Sequence, residues 1–379
     1  MAAKQVLIIQ EVIKQYRVPF FNQLHQRLAD QDIQLTVAYS APNAINRAKA
    51  DNADLPTSYG VIVPKREALS GKVVYQHLTK QVCKADLVIA EQANKHLINY
   101  PLLLLNQWGT KKFAFWGHGR NLQAQQLTFR DKLKQRLLRL PSWWFAYTQS
   151  TVDYLAAEGF PKQRITNVEN SIDMSDFKRE LSTITNDEVA QFRQELAISD
   201  TAKIGLFCGS MYAEKQLPLL FDSLREIFAS TDNFHCLFIG AGENADTVDK
   251  FCQTHPNAHY LGPRFGHQKA IAFTSADIAL NPGLVGLGIL DCFAAGIPML
   301  TTDYPNHSPE IDYLDNGKNG VITAMSSAAF AKATQEVLQT PGTLKQLQEN
   351  AKQSSAHYSI ERMAENFADG IAAALANKP

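Results

Sequence analysis

Residues 281–298, NPGLVGLGILDCFAAGIP, place glycines at 283, 286 and 288 ahead of a helical stretch that carries one acid, Asp291. A strand-like segment, Ala276 to Leu280, feeds this loop, so backbone N–H groups and the positive end of a helix converge on whatever sits there. Such a junction can hold a diphosphate, with Asn281, Gly283, Val285, Gly286 and Leu287 along its path. Asp291 lies just inside the helix, where a short carboxylate either accepts hydrogen bonds from ribose hydroxyls or only complements the helix dipole.

A second candidate lies earlier in the chain. Gly209 and Ser210 follow the apolar run Ile204–Cys208, and Lys215 comes a few residues later. A mobile ammonium in that place can meet phosphate oxygens as a bond to a leaving diphosphate breaks; the bland alternative is a solvated lysine at a helix start. Gly209 is either a plain turn residue or a point of close backbone approach to phosphate. A third candidate is His118, whose flanking Gly117 and Gly119 argue against tight core packing and for ligand approach.

The elements that must position these residues follow from length and pattern. A chain of 379 residues suggests two domains. Lys plus Arg total 37 and Asp plus Glu total 37, so no global field draws nucleic acid to the chain and any steering is local. The five cysteines are widely spaced and form no CxxC pair, which speaks against a disulfide framework or a zinc site and for a reducing, cytoplasmic setting. Val6–Ile9 is too short an apolar run for a secretory signal, and Leu102–Leu105 is too short to span a bilayer.

Short apolar runs alternate with longer helical patterns, the mark of βαβ units. Strands are predicted at Val6–Ile9, Leu35–Ala38, Leu87–Ala90, Phe113–Phe115 and Trp144–Tyr147. The pattern restarts with Ile204–Cys208, Cys236–Ile239, His259–Leu261, Ile278–Leu280 and Met299–Thr301. The expected organisation is a Rossmann-like domain over 1–170, a linker with a lead-in helix over 171–200, a second Rossmann-like domain over 201–355, and a C-terminal helix over 356–379 that packs back on the first domain. The crevice between two such sheets is the default ligand site.

Several segments carry a family resemblance. Phe207 to Lys215 resembles the GRLxxEKG turn of GT-B glycosyltransferases of family 4 (glycosyl transferases group 1), and residues 283–298 resemble that family's EGFGxxxLEAMAxGxPV motif. Ala276-Asp277 is similar to its strand start, Asn170–Asp173 to its NGVD turn, Ser308–Ile311 to its PEI segment, Tyr16–Phe21 to the segment before its first helix, and Trp116–Gly119 to its acceptor-side histidine loop. The resemblance implies an α/β chain of GT-B type, with two doubly wound domains facing across a cleft. The first domain would bind a glycan or lipid-linked acceptor through Tyr16, Arg17, Gly117, His118 and Arg120, with Asn121 a further candidate. The second would bind a nucleotide-sugar donor through Gly209, Ser210, Lys215, Arg264, Asn281, Gly283, Val285, Gly286, Leu287 and Asp291. His118 and Lys215 would be the catalytic pair, His118 lying near the anomeric carbon. Transfer would retain configuration, with the leaving diphosphate assisting attack on the same face and with no metal or other cofactor.

One departure stands out. The family has glutamates eight residues apart where this chain has Gly283 and Asp291. The first of these contacts the donor sugar in the family, so its loss implies an unusual donor, a substitute such as Asn281, or a chain that no longer transfers. Hence the alternatives: a non-catalytic nucleotide-sugar-binding or scaffold subunit, or a nucleotide-sugar epimerase, rather than a transferase of bacterial polysaccharide or lipopolysaccharide assembly. Two features invite over-reading. Asp30-Gln31-Asp32 has the form of a metal-binding DxD but reads as a solvated turn. Residues 130–140 form a basic amphipathic helix that either packs its leucines on the first sheet or lies on an anionic membrane.

Overall fold

The computed structural model describes residues 3–48, 51–119, 136–340 and 342–377. Two compact units result, residues 1–173 with 360–379, and residues 174–359.

The first unit contains β1 (Lys4–Ile9), β2 (Ile33–Tyr39), β3 (Gly60–Ile62), β4 (Lys65–Ala68), β5 (Val73–Gln76), β6 (Leu87–Glu91), β7 (Lys112–Gly117), β8 (Trp143–Ala146) and β9 (Ile165–Asn167). Seven of these form a sheet of order β3-β2-β1-β6-β7-β8-β9, with every pair parallel. The second unit contains β10 (Lys203–Cys208), β11 (Phe234–Ile239), β12 (Ala258–Gly262), β13 (Ile278–Leu280), β14 (Met299–Thr302) and β15 (Gly320–Thr323), in the parallel order β12-β11-β10-β13-β14-β15. Apolar side chains of β1, β6, β10 and β11 are buried on both faces, as a helix-covered parallel sheet requires. The strand order reverses between β1 and β6 and again between β10 and β13, and such reversals open a crevice at the carboxyl ends of the strands.

Both units start their central pairing in the same way. An Ala-Asp step precedes β6 and β13. In the first unit the Asp86 carboxylate accepts the Gln5 N–H at 2.8 Å, and in the second Asp277 accepts the Ile204 N–H at 2.9 Å. Lys4 and Lys203 complete the two contacts at 3.3 and 2.9 Å. A charged acceptor for the N–H of a strand's second residue is worth more than a neutral one, so each Asp helps set the register of its central pair.

All ten predicted strands are present, with Trp144–Tyr147 displaced by one residue to Trp143–Ala146. The strands that pattern reading missed are β3, β4, β5, β9 and β15. In the β4–β5 hairpin β4 is charged and mostly exposed, β5 is short with Val74 and Gln76 buried, and ions hold β4 in place: Lys65 lies between Glu11 at 3.4 Å and Glu67 at 2.6 Å. Asp30 and Asp32 fall in the turn before β2, Asp32 with a left-handed backbone.

Residues 171–200, expected as linker and lead-in helix, form the helices Ser175–Thr183 and Asn186–Glu195, the latter opened by a Thr185/Glu188 capping box. The C-terminal helix Ile360–Ala376 belongs to the first unit. Its Phe367 stacks on Phe145 at 4.3 Å and meets Phe20 and Trp116 edge-on. Gly370 lets the helix approach closely, since a Cβ there would stand 2.8 Å from the Phe145 ring. Burying Phe367 contributes about 2–3 kcal/mol.

Two histidines in the second sheet tie stability to acidity. His235 Nδ1 and His259 Nε2 are 3.0 Å apart, and burial, then the neighbouring ring, pushes His259 down to about 4. The unfolded chain takes this proton near pH ~6.5 and the folded one only near 4, so between these values the unfolded state binds more protons. Stability therefore falls as pH drops through that window, by about 1 kcal/mol after allowance for partial exposure. Urea midpoints at pH 7.5 and 5 measure the slope, and His259→Gln is expected to flatten it.

Candidate functional site

The carboxyl ends of β10 and β13 carry the residues with the most chemistry. After β10 the chain makes a 3-10 turn, Ala213–Lys215, and after β13 the loop 281–287 folds onto it. Leu284 N–H donates to the Glu214 carbonyl at 2.8 Å, while Lys215 Nζ donates back to the Leu284 carbonyl at 2.6 Å. Asn281 Nδ2 donates to the same carbonyl at 3.2 Å. The two backbones touch at Gly283, where an added Cβ would overlap the Glu214 carbonyl and stand 2.7 Å from Lys215 Cα.

This accounts for the departure at position 283. No side chain fits there, so Gly283 seats the loop rather than contacting a ligand through a side chain. Gln216, which stands where the GRLxxEKG pattern has its last glycine, takes a left-handed φ of +53° to start the helix Leu217–Ser230.

Lys215 reaches into the space beside Gly209, whose ideal Cβ position lies 3.9 Å from Lys215 Cε. Burial pushes its ammonium down to about 8. One of its protons is given to Leu284, and Ser210 stands exposed nearby in sequence. The amides of the loop divide sharply. Val285 N–H, expected to face a diphosphate, instead donates to His307 Nδ1 at 3.0 Å; His307 Nε2 in turn lies 2.9 Å from the Thr302 carbonyl, which makes His307 a neutral structural clamp. The N–H groups of Gly286, Leu287 and Gly288 have no acceptor among the described residues, and they open the helix Gly288–Ala295. That is the arrangement an anion needs.

Asp291 sits in the first turn of that helix with its Oδ1 2.7 Å from Lys269 Nζ. Burial raises its carboxyl and the lysine opposes the rise. The ammonium of Lys269 is also stacked on Phe177 at 4.4 Å. Lys269 was missed in the sequence; the available signal was a single lysine in the helix Gly266–Ser275 opposite the only acid of the glycine-rich motif. Cys208 feels both Asp291 and Lys215, so these charges share one neighbourhood with Gly209. Its thiol is pushed up to about 12, chiefly by burial, and is no nucleophile at neutral pH.

Asn281, named as a substitute sugar contact, is buried under the loop, and its Oδ1 has no hydrogen-bond partner among the described residues. The Arg264 side chain hydrogen-bonds Gln268 at 3.2 Å and lines a cavity of about 320 Å³ with Glu188, Phe192 and His267.

In the first unit, Tyr16, Arg17, Gly117 and His118 come together at the carboxyl ends of β7 and β8. The Arg17 guanidinium lies 5.1 Å from the Tyr16 ring centroid and 5.0 Å from that of Trp116, and His118 meets Tyr147 edge-on at 4.4 Å. The packing round His118 lowers its pKa; Glu91 opposes this and Arg17 adds to it, so the ring is neutral at pH 7. Glu91, which the sequence did not single out, ends β6 and lies 3.6 Å from His96. Burial would raise its carboxyl, but His96, Lys95 and His118 together hold it below the usual range. Arg120 and Asn121 lie outside the described residues, as do 130–135 of the basic helix. Of that helix's described end, Leu138 is buried in the first unit's core with Leu137 and Leu140 packed beside it.

The two doubly wound units define a GT-B fold, and comparison with known proteins agrees. The model of the family glycosyl transferases group 1 matches residues 202–340, so the motif resemblance is met across the body of the second unit. No curated protein sequence matches the chain. Among solved structures, Anabaena HepE in complex with UDP superposes with a TM-score of 0.67 at 14% identity, covering 97% of this chain and 99% of that one. A glycosyltransferase from Rickettsia africae gives 0.68 at 13%, covering 97% and 98%. WaaG, a glycosyltransferase involved in lipopolysaccharide biosynthesis, gives 0.62 at 15%, covering 96% and 98%.

Restoring the family's glutamate at 283 is expected to damage the fold rather than help a ligand. Gly283→Glu should destabilise the second unit by about 3 kcal/mol, a fall of roughly 6–12 °C in Tm. Thermal unfolding of the purified variant measures it, and an unchanged Tm would mean that the loop has another seat.

Proposed function

We propose that this chain is a retaining, metal-independent glycosyltransferase that moves a sugar from a nucleotide-sugar donor held by the second unit to a glycan or lipid-linked acceptor held by the first. The observation that carries the reading is the part-buried Lys215 ammonium beside Gly209, in one neighbourhood with a helix start whose Gly286, Leu287 and Gly288 amides have no described acceptor. Together these groups offer about one full positive charge and three donors to a leaving diphosphate, charge that grows as the glycosidic bond breaks. Asp291, steadied by Lys269, has a second oxygen for ribose hydroxyls. Neutral His118 can give or take a hydrogen bond at an acceptor hydroxyl. The matched family and the UDP complexes of HepE support a uridine diphosphate sugar as donor, and WaaG supports a role in cell-surface polysaccharide or lipopolysaccharide assembly.

UDP is expected to raise the Tm of the full chain. Lys215→Ala should abolish most of that rise and lower transfer by about 10²- to 10³-fold, with the Tm of the free protein little changed. Because the free Lys215 titrates near 8, UDP affinity should weaken as pH rises through 8 to 9, and Lys215→Ala should lose that dependence. Unchanged turnover in Lys215→Ala would reject the assignment. The missing carboxylate at 283 favours one other reading, a binding subunit without turnover. Slow release of free nucleotide from a panel of nucleotide sugars separates an enzyme from a binder.

We also propose peripheral contact with anionic membranes, through the helix Asn99–Gln107 together with Arg139 from the described end of residues 130–140. No helix of the described residues is long and apolar enough to cross a membrane, and the leucines at 137, 138 and 140 are spent on packing. Tyr100, Leu104 and Trp108 instead line one face of the helix Asn99–Gln107 and its end, exposed by 39, 55 and 71%. Trp108 borders a cavity of about 700 Å³ that is also lined by Arg139 and Arg164, cations that suit lipid phosphates. Flotation with anionic liposomes should capture the protein at low salt, and Trp108→Ser with Leu104→Ser should release it. Equal flotation of the double variant would dismiss this surface.

A further inference from the structure

Arg17 is a buried cation in need of a counter-charge. The residue is 7% exposed, yet no carboxylate among the described residues lies within ion-pair distance of it. Its surroundings are three aromatic rings, Tyr16, Trp116 and Tyr147, with centroids 5.1, 5.0 and 5.9 Å from the guanidinium carbon, and the Met363 sulfur 3.8 Å from one nitrogen. Aromatic faces and a thioether offset only part of the cost of removing a guanidinium from water.

The adjacent acid does not fill the gap. Glu91 lies against His96, and its other charged neighbours are Lys95 and His118. A second buried polar group is also left over: Trp116 Nε1 has no hydrogen-bond partner among the described residues, and Trp116 is the ring closest to the guanidinium. At the carboxyl end of the first sheet, next to the exposed His118, stand a buried indole N–H without an acceptor among the described residues and a guanidinium that donates to the Met363 sulfur but has no carboxylate partner.

We propose that Arg17, with Trp116 Nε1 and His118 beside it, forms a site for a small oxyanion, a phosphoryl or carboxylate group carried by the acceptor. The guanidinium fork fits two oxygens of such a group, and the anion supplies the counter-charge that neutral sugar hydroxyls lack. This rests on the acceptor reading of the first unit and narrows it: the acceptor is an acidic glycan or a phosphorylated lipid or sugar, not a neutral saccharide.

The test uses the full chain in the Lys215→Ala background, so that the phosphate site of the second unit is not what is read. Methyl phosphate and acetate, each against sodium chloride of matched ionic strength, are titrated by thermal unfolding and by tryptophan fluorescence. A Tm rise of about 2–4 °C with one or both is expected, and the stronger of the two arms tells phosphoryl from carboxylate. Arg17→Met should raise the Tm of the free protein, because it removes an unmatched buried charge at similar volume, and should abolish the anion response. Arg17→Lys should keep a weakened response. Anion shifts no larger than those of chloride, or a full response in Arg17→Met, overturn the site. UDP stabilisation of the Arg17 variants with Lys215 intact reports separately on the donor reading, so the two can fail independently.

Discussion

The second unit depends on a contact between two backbones with no side chain between them. At Gly283 the loop after β13 lies directly on the Ala213–Lys215 turn after β10, and at Gly240 a Cβ would stand 2.9 Å from the carbonyl carbon of Gly209. These approaches bring the ends of β10, β11 and β13 close enough that one carbonyl, Leu284, can bind both the Lys215 ammonium and the Asn281 amide. That carbonyl offsets the hydration the partly buried Lys215 ammonium gives up. Glycine at 283, the lowered lysine and the open amides at 286–288 are thus one device.

Much of this was legible in residue order. Apolar runs marked every central strand, because a strand buried on both faces must be apolar along its length. The Ala-Asp step at 276–277 marked the start of β13, and the structure adds that Asp86 does the same for β6. What stayed hidden depends on long-range pairing. The β4–β5 hairpin is fixed by Lys65 and Glu11, 54 positions apart, and the Lys269–Asp291 and Val285–His307 pairs each span 22. Gly283 shows the limit of motif comparison in another way. Against the family pattern it reads as a lost glutamate; in space it is a residue that must lack a side chain.

The two units answer the same topological opportunity with different charge balance. Each presents a strand-order reversal, and each gathers titratable groups at the carboxyl ends of its strands. In the second unit Asp291 is matched by Lys269, and Lys215 is held by a carbonyl, so positive character comes from one ammonium and a helix start. In the first unit the ions sort into separate groups. Lys65 and Lys95 neutralise Glu11, His96 lies against Glu91, and Arg17 is left among aromatic rings. A fold under selection for stability alone would have replaced Arg17 with an apolar residue of similar volume, as buried unmatched charges are costly to keep.

The missing carboxylate at 283 bears on the two halves of a nucleotide-sugar unequally. Under the proposed function, the leaving diphosphate is met by Lys215 and the amides of 286–288, none of which needs a side chain at 283. The charge that develops in the transition state therefore finds its partners in place. What a carboxylate there would supply is a fixed acceptor for sugar hydroxyls; in the loop the Asn281 amide nitrogen is spent on Leu284, and its buried Oδ1, without a partner among the described residues, is the acceptor left over. Hydroxyl reading is the larger source of discrimination between sugars, because a site built to hydrogen-bond a hydroxyl strongly rejects a ligand that lacks it. On that reading the chain keeps the means to release a nucleoside diphosphate while recognition of the sugar is left to groups other than a side chain at 283, and in the first unit Arg17 is a buried cation with no carboxylate partner among the described residues.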